Sequence, residues 1–332
     1  MALLFYDGFD WTSDIADITR KWNSANLTGC YVGTAYGRFG SKGLSLYYNR
    51  YIQKNIDDKS TVYLGLATYT GSGDISVSTS YPFIDFMNGA NSHVALCFVS
   101  PTVARFYNNH ATQIGTDITV PNIQGRWVYI EIKATISDTV GEIILKINGI
   151  EYYNGTNLDT RNGTPTTINS IRIATVYATS PNIDDAYIDD SQFHGDVRVR
   201  TIYPDANGSE NDLTPSAGSN YQNVDDPGDP DDDSTYNSGS TVGDRDLYGV
   251  TAPTLATVKA VAVSPHIRKD DAGTRKIKNV VRSGGTNYLG SELEVDSSYG
   301  VKQSIWELDP ADSTAWSKTK IDNAEFGLEI TA

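Results

Sequence analysis

Three aspartates spaced two apart, Asp229, Asp231 and Asp233, are the side chains of this sequence best suited to hold a hard cation. Calcium takes oxygen ligands from flexible loops, and alternating aspartates open the EF-hand loop. The rest of that loop is missing: Ser234 stands where its glycine belongs and Ser240 where its bidentate glutamate belongs. No cofactor is therefore expected, calcium on these three aspartates being the one that the residue types allow. The competing expectation is a solvated charge run. A second acidic group, Asp184, Asp185, Asp189 and Asp190, falls in a strand-like stretch, where alternation should send neighbouring aspartates to opposite faces.

Covalent catalysis needs a nucleophile, a base and an orienting group within reach of one another. The four histidines, His93, His110, His194 and His266, are scattered, and no Gly-x-Ser-x-Gly elbow occurs. There is no phosphate-cradling Gly-x-x-x-x-Gly-Lys loop. Zinc would need a close set of Cys and His ligands, but Cys30 and Cys97 lie in separate apolar stretches and read as buried free thiols. The sequence predicts no catalytic residue and no enzyme.

The elements that must position these residues are strands. In Trp127–Ile136 the even positions Val128, Ile130, Ile132, Ala134 and Ile136 are apolar, with Glu131, Lys133 and Thr135 between them. That period of two marks a half-buried strand. Ile143, Leu145 and Ile147 repeat the pattern. Asn148-Gly149 then predicts a type I′ hairpin turn, whose central residues both need positive φ. Ile171, Ile173 and Val176 predict another strand, as do Val197, Val199 and Thr201 alternating with Arg198 and Arg200. Helix is confined to a turn within Thr12–Lys21. Strands at short intervals between Gly/Asn/Ser/Pro turns indicate a sandwich or barrel.

The 332 residues, 39% of them hydrophobic, suffice for one large or two medium domains. Lys+Arg 26 against Asp+Glu 41 leaves a net charge of −15, which speaks against nucleic acid and against anionic membrane as partners. No run reaches the roughly 18 apolar residues of a membrane span. The first residues lack the basic start of a signal peptide, so synthesis in the cytoplasm is expected. Between Tyr203 and Tyr248 there are 11 acids, and Arg245 is the sole base. Low apolar content with high charge predicts a loop-rich connector over 204–249, between domains at 1–203 and 250–332.

Several stretches resemble a family of tailed-bacteriophage virion proteins that carry a concanavalin A-like (laminin-G-like) jelly roll. They are Phe5-Tyr6-Asp7-Gly8-Phe9 with Trp22, and Ile183-Asp184-Asp185-Ala186-Tyr187-Ile188 leading to Gly195-Asp196-Val197. Phage structural proteins are also resembled by Leu213-Thr214-Pro215-Ser216, by Arg268-Lys269-Asp270-Asp271-Ala272-Gly273 and by Trp306-Glu307-Leu308-Asp309-Pro310. The resemblance implies an all-β chain: a concanavalin A-like jelly-roll sandwich, then a second, smaller β-sandwich unit. It also raises glycoside hydrolysis, which needs two carboxylates facing one bond. Laminarinase-type enzymes of this fold place theirs as Glu-x-Asp-x-x-Glu, and the nearest string here is Glu294-Val295-Asp296-Ser297-Ser298-Tyr299, whose last acid is lost.

The resulting expectation is a non-enzymatic structural protein on the exterior of a virion, as head decoration or as a tail or fibre component. Its partners would be other virion proteins, further copies of itself and, weakly, a host-surface glycan. A host-recognition adhesin and an atypical glycan hydrolase are the alternatives. Sugar stacking would use tyrosines such as Tyr31, Tyr36, Tyr47, Tyr48, Tyr51, Tyr152 and Tyr153, which also suit cross-strand packing. The basic group Arg268, Lys269, Arg275, Lys276, Lys278 and Arg282 would meet an acidic neighbour, fold back on the Asp-rich segment or stay solvated.

Overall fold

Alternation fills the core as the sequence predicts. In the computed structural model, which describes residues 2–71, 75, 82–175, 180–254 and 257–332, the chain divides into two compact units, Met1–Arg200 and Thr201–Ala332. Val176 lies outside the described residues. The strands of the first unit are β1 (Leu3–Asp7), β2 (Ser24–Asn26), β3 (Tyr31–Gly33), β4 (Gly43–Ser45), β5 (Tyr51–Lys59), β6 (Thr61–Tyr69), β7 (Ile84–Asn88) and β8 (Asn91–Ser100). They continue as β9 (Val103–Asn108), β10 (Thr112–Thr119), β11 (Trp127–Thr135), β12 (Gly141–Ile147), β13 (Ile150–Leu158), β14 (Ile168–Ala174) and β15 (Asn182–Asp189).

These strands form a jelly-roll sandwich. One sheet runs β13-β12-β11-β6-β15-β4-β3 with β1 added beside β15; the other runs β10-β9-β8-β7-β14-β5-β2. Ile130, Ile132 and Ala134 of β11 face inward beside Leu66, Leu64 and Val62 of β6 and Ile147, Leu145 and Ile143 of β12. Ile52, Ile84, Phe86, Leu96, Phe106, Ile171 and Ile173 meet them from the second sheet in one core. Asn148 and Gly149 have φ of 52° and 78°, as a type I′ turn requires.

The predicted helical turn is present as a 3-10 turn, Ile15–Asp17, and an α-turn, Ile18–Lys21. It delivers Lys21 and Trp22 to the buried Asp7 carboxylate. Lys21 Nζ and the Trp22 indole N–H donate to Asp7 at 2.9 and 2.8 Å. The Trp22 ring meets Phe5 edge-on at 5.0 Å and Phe9 face-on at 6.1 Å. The polar end of Trp22 is thereby satisfied while its body fills the core.

Two expectations are corrected. Residues 197–201 form no strand: the Val199 amide turns to the Asp185 side chain, as described below. The segment 204–249 is no mere connector. Its ends are strands, Pro204–Asn211 and Arg245–Val250, in a five-stranded antiparallel sheet completed by Glu325–Ile330, Arg275–Ser283 and Thr286–Val295. Hydrogen bonds order what apolar burial cannot. The buried Asp246 carboxylate accepts from the Leu213 amide (2.9 Å), Asn220 Nδ2 (2.8 Å) and the Tyr248 hydroxyl (2.9 Å). The apolar core of this unit is small: Val263, Val281, Trp316, Ile321 and Ala252 are among its members.

Gly65 on β6 sits directly beneath the Tyr187 ring, where a Cβ would collide with the aromatic carbons. Tyr187 is itself buried and hydrogen-bonded, so the ring cannot simply swing away. Gly65→Ala is expected to destabilise the first unit by about 1–3 kcal/mol, the usual cost of overpacking, read as a lower urea midpoint at unchanged slope.

Candidate functional site

The two sheets treat their outer faces differently. On the face of β11, β6 and β15, Glu131, Gly65 and Tyr187 stand in register. Residues 191–200 cross that face as a strap. The Tyr187 hydroxyl donates to Glu131 Oε1 at 2.6 Å, and the Gly195 amide donates to the same oxygen at 2.8 Å. His194 bonds Asp189 at 2.9 Å, Phe193 packs edge-on against Tyr63, and the Val199 amide donates to Asp185 Oδ1 at 2.8 Å. The Val199 amide, which a strand would spend on a neighbouring ladder, is spent here on a buried carboxylate.

Beneath the strap, Asp184 and Asp185 break the alternation rule. Asp185 has φ of 51° and the β6–β15 register shifts at this point, so both carboxylates reach Arg38. Asp184 accepts from the Arg38 amide at 2.8 Å, and Arg38 Nη1 lies 3.5 Å from Asp185 Oδ2. Burial, reinforced by the Asp185 charge, lifts the Asp184 carboxyl to about 8. Burial also lifts Asp185, to about 6, against the Val199 amide and Arg38, which favour its ionised form. Both residues are fully enclosed. The pair closes the structure and offers no access to a ligand.

The other outer face carries a continuous row. Because Ile52, Ile84, Phe86, Phe106, Ile171 and Ile173 point inward, their strand neighbours point outward. Register then joins Ser24, Gln53, Arg172, Asp85, Ala95, Tyr107 and Gln113 across all seven strands. At a strand spacing of about 4.8 Å the row is about 29 Å long. Arg172 Nε and Nη2 donate to Gln53 Oε1 at 3.2 and 3.0 Å, and its guanidinium lies 4.5 Å over the Tyr51 ring. Asp85 is buried, accepting from Ser92 Oγ at 2.6 Å and bonding His110 Nε2 at 2.7 Å. Arg105 holds Asp117 with two bonds of 2.6 and 2.7 Å and donates to the Tyr107 hydroxyl at 3.0 Å. Ala95, Cys97 and Tyr107 pack together beside it. The row ends at Gln113, on the rim of a cleft of about 330 Å³ lined also by Asn108, Asn157, Asp159 and Arg161.

Planar hydrogen-bonding groups beside an aromatic ring can bind sugar hydroxyls and one sugar face. Next to the row the buried Ser92 hydroxyl donates to Asp85, which stands between it and His110.

The residues singled out in the sequence are spread over both units. Tyr51 flanks the row, two residues from Gln53 on β5 and stacked on Arg172. Tyr31, Tyr47 and Tyr48 are exposed, with Tyr31 stacked on Tyr36 at 6.1 Å near the β3 edge. Tyr152 and Tyr153 pack on the core. The three aspartates proposed for calcium do not converge. Asp231 caps Thr235 with bonds of 3.1 and 2.8 Å, whereas Asp233 accepts from Arg268 at 2.8 Å and from the Tyr299 hydroxyl at 2.9 Å. Among the described residues no group of three or more His, Cys, Asp or Glu is placed to hold a metal ion. The basic group is largely paired off, Arg268 with Asp233, Arg275 with Asp271, Lys276 with Glu292 and Arg282 with Glu210. Asp296 is tied to Lys302 and Tyr299 stacks on His266, so the glycosidase-like string is dispersed. Both cysteines are buried and in no disulfide.

No family profile matches the chain, and no curated protein matches it. Solved structures do. Cellulose induced protein Cip1 is similar with a TM-score of 0.42 and 14% identity, over 59% of this chain and 99% of that one. Alginate lyase Aly36B gives 0.38 and 10%, over 58% and 100%. Galectin LEC-6 of Caenorhabditis elegans gives 0.30 and 12%, over 43% and 94%. These are likenesses of fold and say nothing of what this chain binds.

A carboxyl whose folded pKa exceeds its unfolded value of about 3.9 binds more protons in the native state. The stability it contributes is full at low pH and is lost as pH rises through the folded value. Asp184 therefore makes the first unit less stable between about pH 4 and 8 as pH rises. Asp184→Asn is expected to flatten that part of the Tm-against-pH curve, most visibly near pH 8. Parallel curves for the two proteins would contradict the raised carboxyl.

Proposed function

We propose that this protein is a non-enzymatic attachment protein of a phage particle exterior whose jelly-roll unit binds glycan through the outer row of its seven-stranded sheet. The observation that carries the glycan reading is the partly exposed end of the row, Ser24, Gln53 and Arg172 in register, with Tyr51 and Arg172 prearranged beside Gln53. Such a surface binds without moving, so little conformational entropy is lost on contact. The placement on a virion, among other virion proteins and further copies of this chain, rests on the sequence stretches that resemble phage structural proteins. Many copies on one particle would turn weak single contacts into firm attachment.

Catalysis of glycan cleavage would call for two carboxylates at a common bond. On this face Asp85 is held by Ser92 and His110, and Asp117 by Arg105. Binding without cleavage is the reading these contacts favour.

A glycan array with the intact protein tests the proposal. Tyr51→Ala and Gln53→Ala are each expected to weaken the strongest signal at least tenfold, about 1.4 kcal/mol, while Tyr31→Ala leaves it unchanged. The reverse pattern would move the site to the β3 edge, and the absence of any signal would end the glycan reading. Release of reducing ends from a bound polysaccharide would make the protein an enzyme. Electron micrographs of antibody-labelled virions test the location, and unlabelled particles would overturn it.

A further inference from the structure

We infer that the glycan carried on this row is acidic, with a carboxylate seated on Arg172; the inference rests on the glycan reading above. Arg172 differs from three other buried or half-buried arginines of the first unit; a fourth, Arg50, is held by the Thr28 and Asn49 carbonyls. Arg38 has Asp185 and Asp196, Arg105 has Asp117, and Arg161 has Asp138. Arg172 forms no ion pair among the described residues: its contacts are Gln53 Oε1 and the Tyr51 ring. Its cross-strand partner Asp85 is no substitute, since that carboxylate is engaged by Ser92 and His110.

The geometry of those contacts matters as much as the missing counter-ion. Gln53 occupies the Nε side of the guanidinium, and Tyr51 covers one of its faces. What is left is the edge formed by Nη1 and the second hydrogen of Nη2, held in a fixed plane. Two parallel N–H donors on such an edge match the two oxygens of a carboxylate. A neutral polar neighbour and a ring fix the fork without neutralising it, and a half-buried charge without a partner gains most from an anionic ligand.

Overall charge does not oppose this. Residues 1–200 hold 15 Lys+Arg against 19 Asp+Glu, whereas residues 201–332 hold 11 against 22. The net −15 is therefore concentrated in the second unit. In salt near physiological strength, charges beyond about 8 Å are largely screened, so the short-range fork decides.

Affinity gel electrophoresis of the full-length protein tests the inference with polygalacturonate, alginate and hyaluronate, each beside its carboxyl-reduced neutral form, and with dextran sulfate. At least one acidic polymer is expected to bind tenfold or more tightly than its reduced form and than dextran sulfate. Arg172→Gln should bring acidic and reduced polymers to the same level. Arg172→Lys, which keeps the charge and loses the fork, should retain only part of the preference, and it carries the test if the glutamine variant does not fold. Equal binding of acidic and reduced forms, equal binding of the sulfated polymer, or a preference undiminished in the variants would overturn the carboxylate assignment and leave the glycan reading standing. No retardation by any polymer, together with a blank glycan array, would remove both.

Discussion

Each polar group on the outer row stands where it does because its neighbours along the strand are committed to the core. Burying Ile52, Ile84, Phe106 and Ile173 forces Gln53, Asp85, Tyr107 and Arg172 to the opposite side of the same sheet. A slip of one residue in any strand would exchange the two sets, placing an arginine among isoleucines. The hydrophobic core therefore acts as the ruler for the binding surface, and the surface needs no loop to assemble it.

The opposite sheet shows the alternative use of the same alternation. There the outward residues Glu131, Tyr187 and Asp185 are closed over by the chain's own segment 191–200 and Asp184 by Arg38 and Ser41; the Gly195 and Val199 amides reach carboxylates, and the His194 amide reaches the Tyr187 hydroxyl. Buried charge of this kind is tolerable because it is hydrogen-bonded on several sides. One sheet thus spends its polar groups on holding the unit shut; the other buries Asp85 and Tyr107 and leaves Ser24, Gln53, Arg172 and Gln113 at least partly exposed. The second unit follows the first pattern in miniature, with Asp246 gathering Leu213, Asn220 and Tyr248 where apolar side chains are scarce.

Much of this was legible in the residues. The strand Trp127–Thr135, the Asn148-Gly149 turn and the two buried thiols follow from period, turn chemistry and apolar context. The row was visible only in pieces: Asp85, Arg105 and Arg172 each interrupt apolar residues, but alternation within a strand does not say which strand lies beside it. Asp184 and Asp185 were misread because a single residue with φ of 51° suspends the period of two. Val197–Thr201 has a strand's pattern and a strap's partners, a distinction that depends on carboxylates distant in sequence. The Asp-rich run looked like a cation loop because Arg268, 35 residues beyond Asp233, could not be paired with it by spacing alone.

Cys97 lies beside the row under Tyr107, and burial, with the nearby Asp85 charge, pushes its thiol up to about 12; burial raises Cys30 as well. Nucleophilic sulfur is the thiolate, and an enclosed, protonated thiol neither exchanges disulfides nor oxidises readily. With no other cysteine in the chain, neither sulfur is placed to bond to a second molecule while the fold holds.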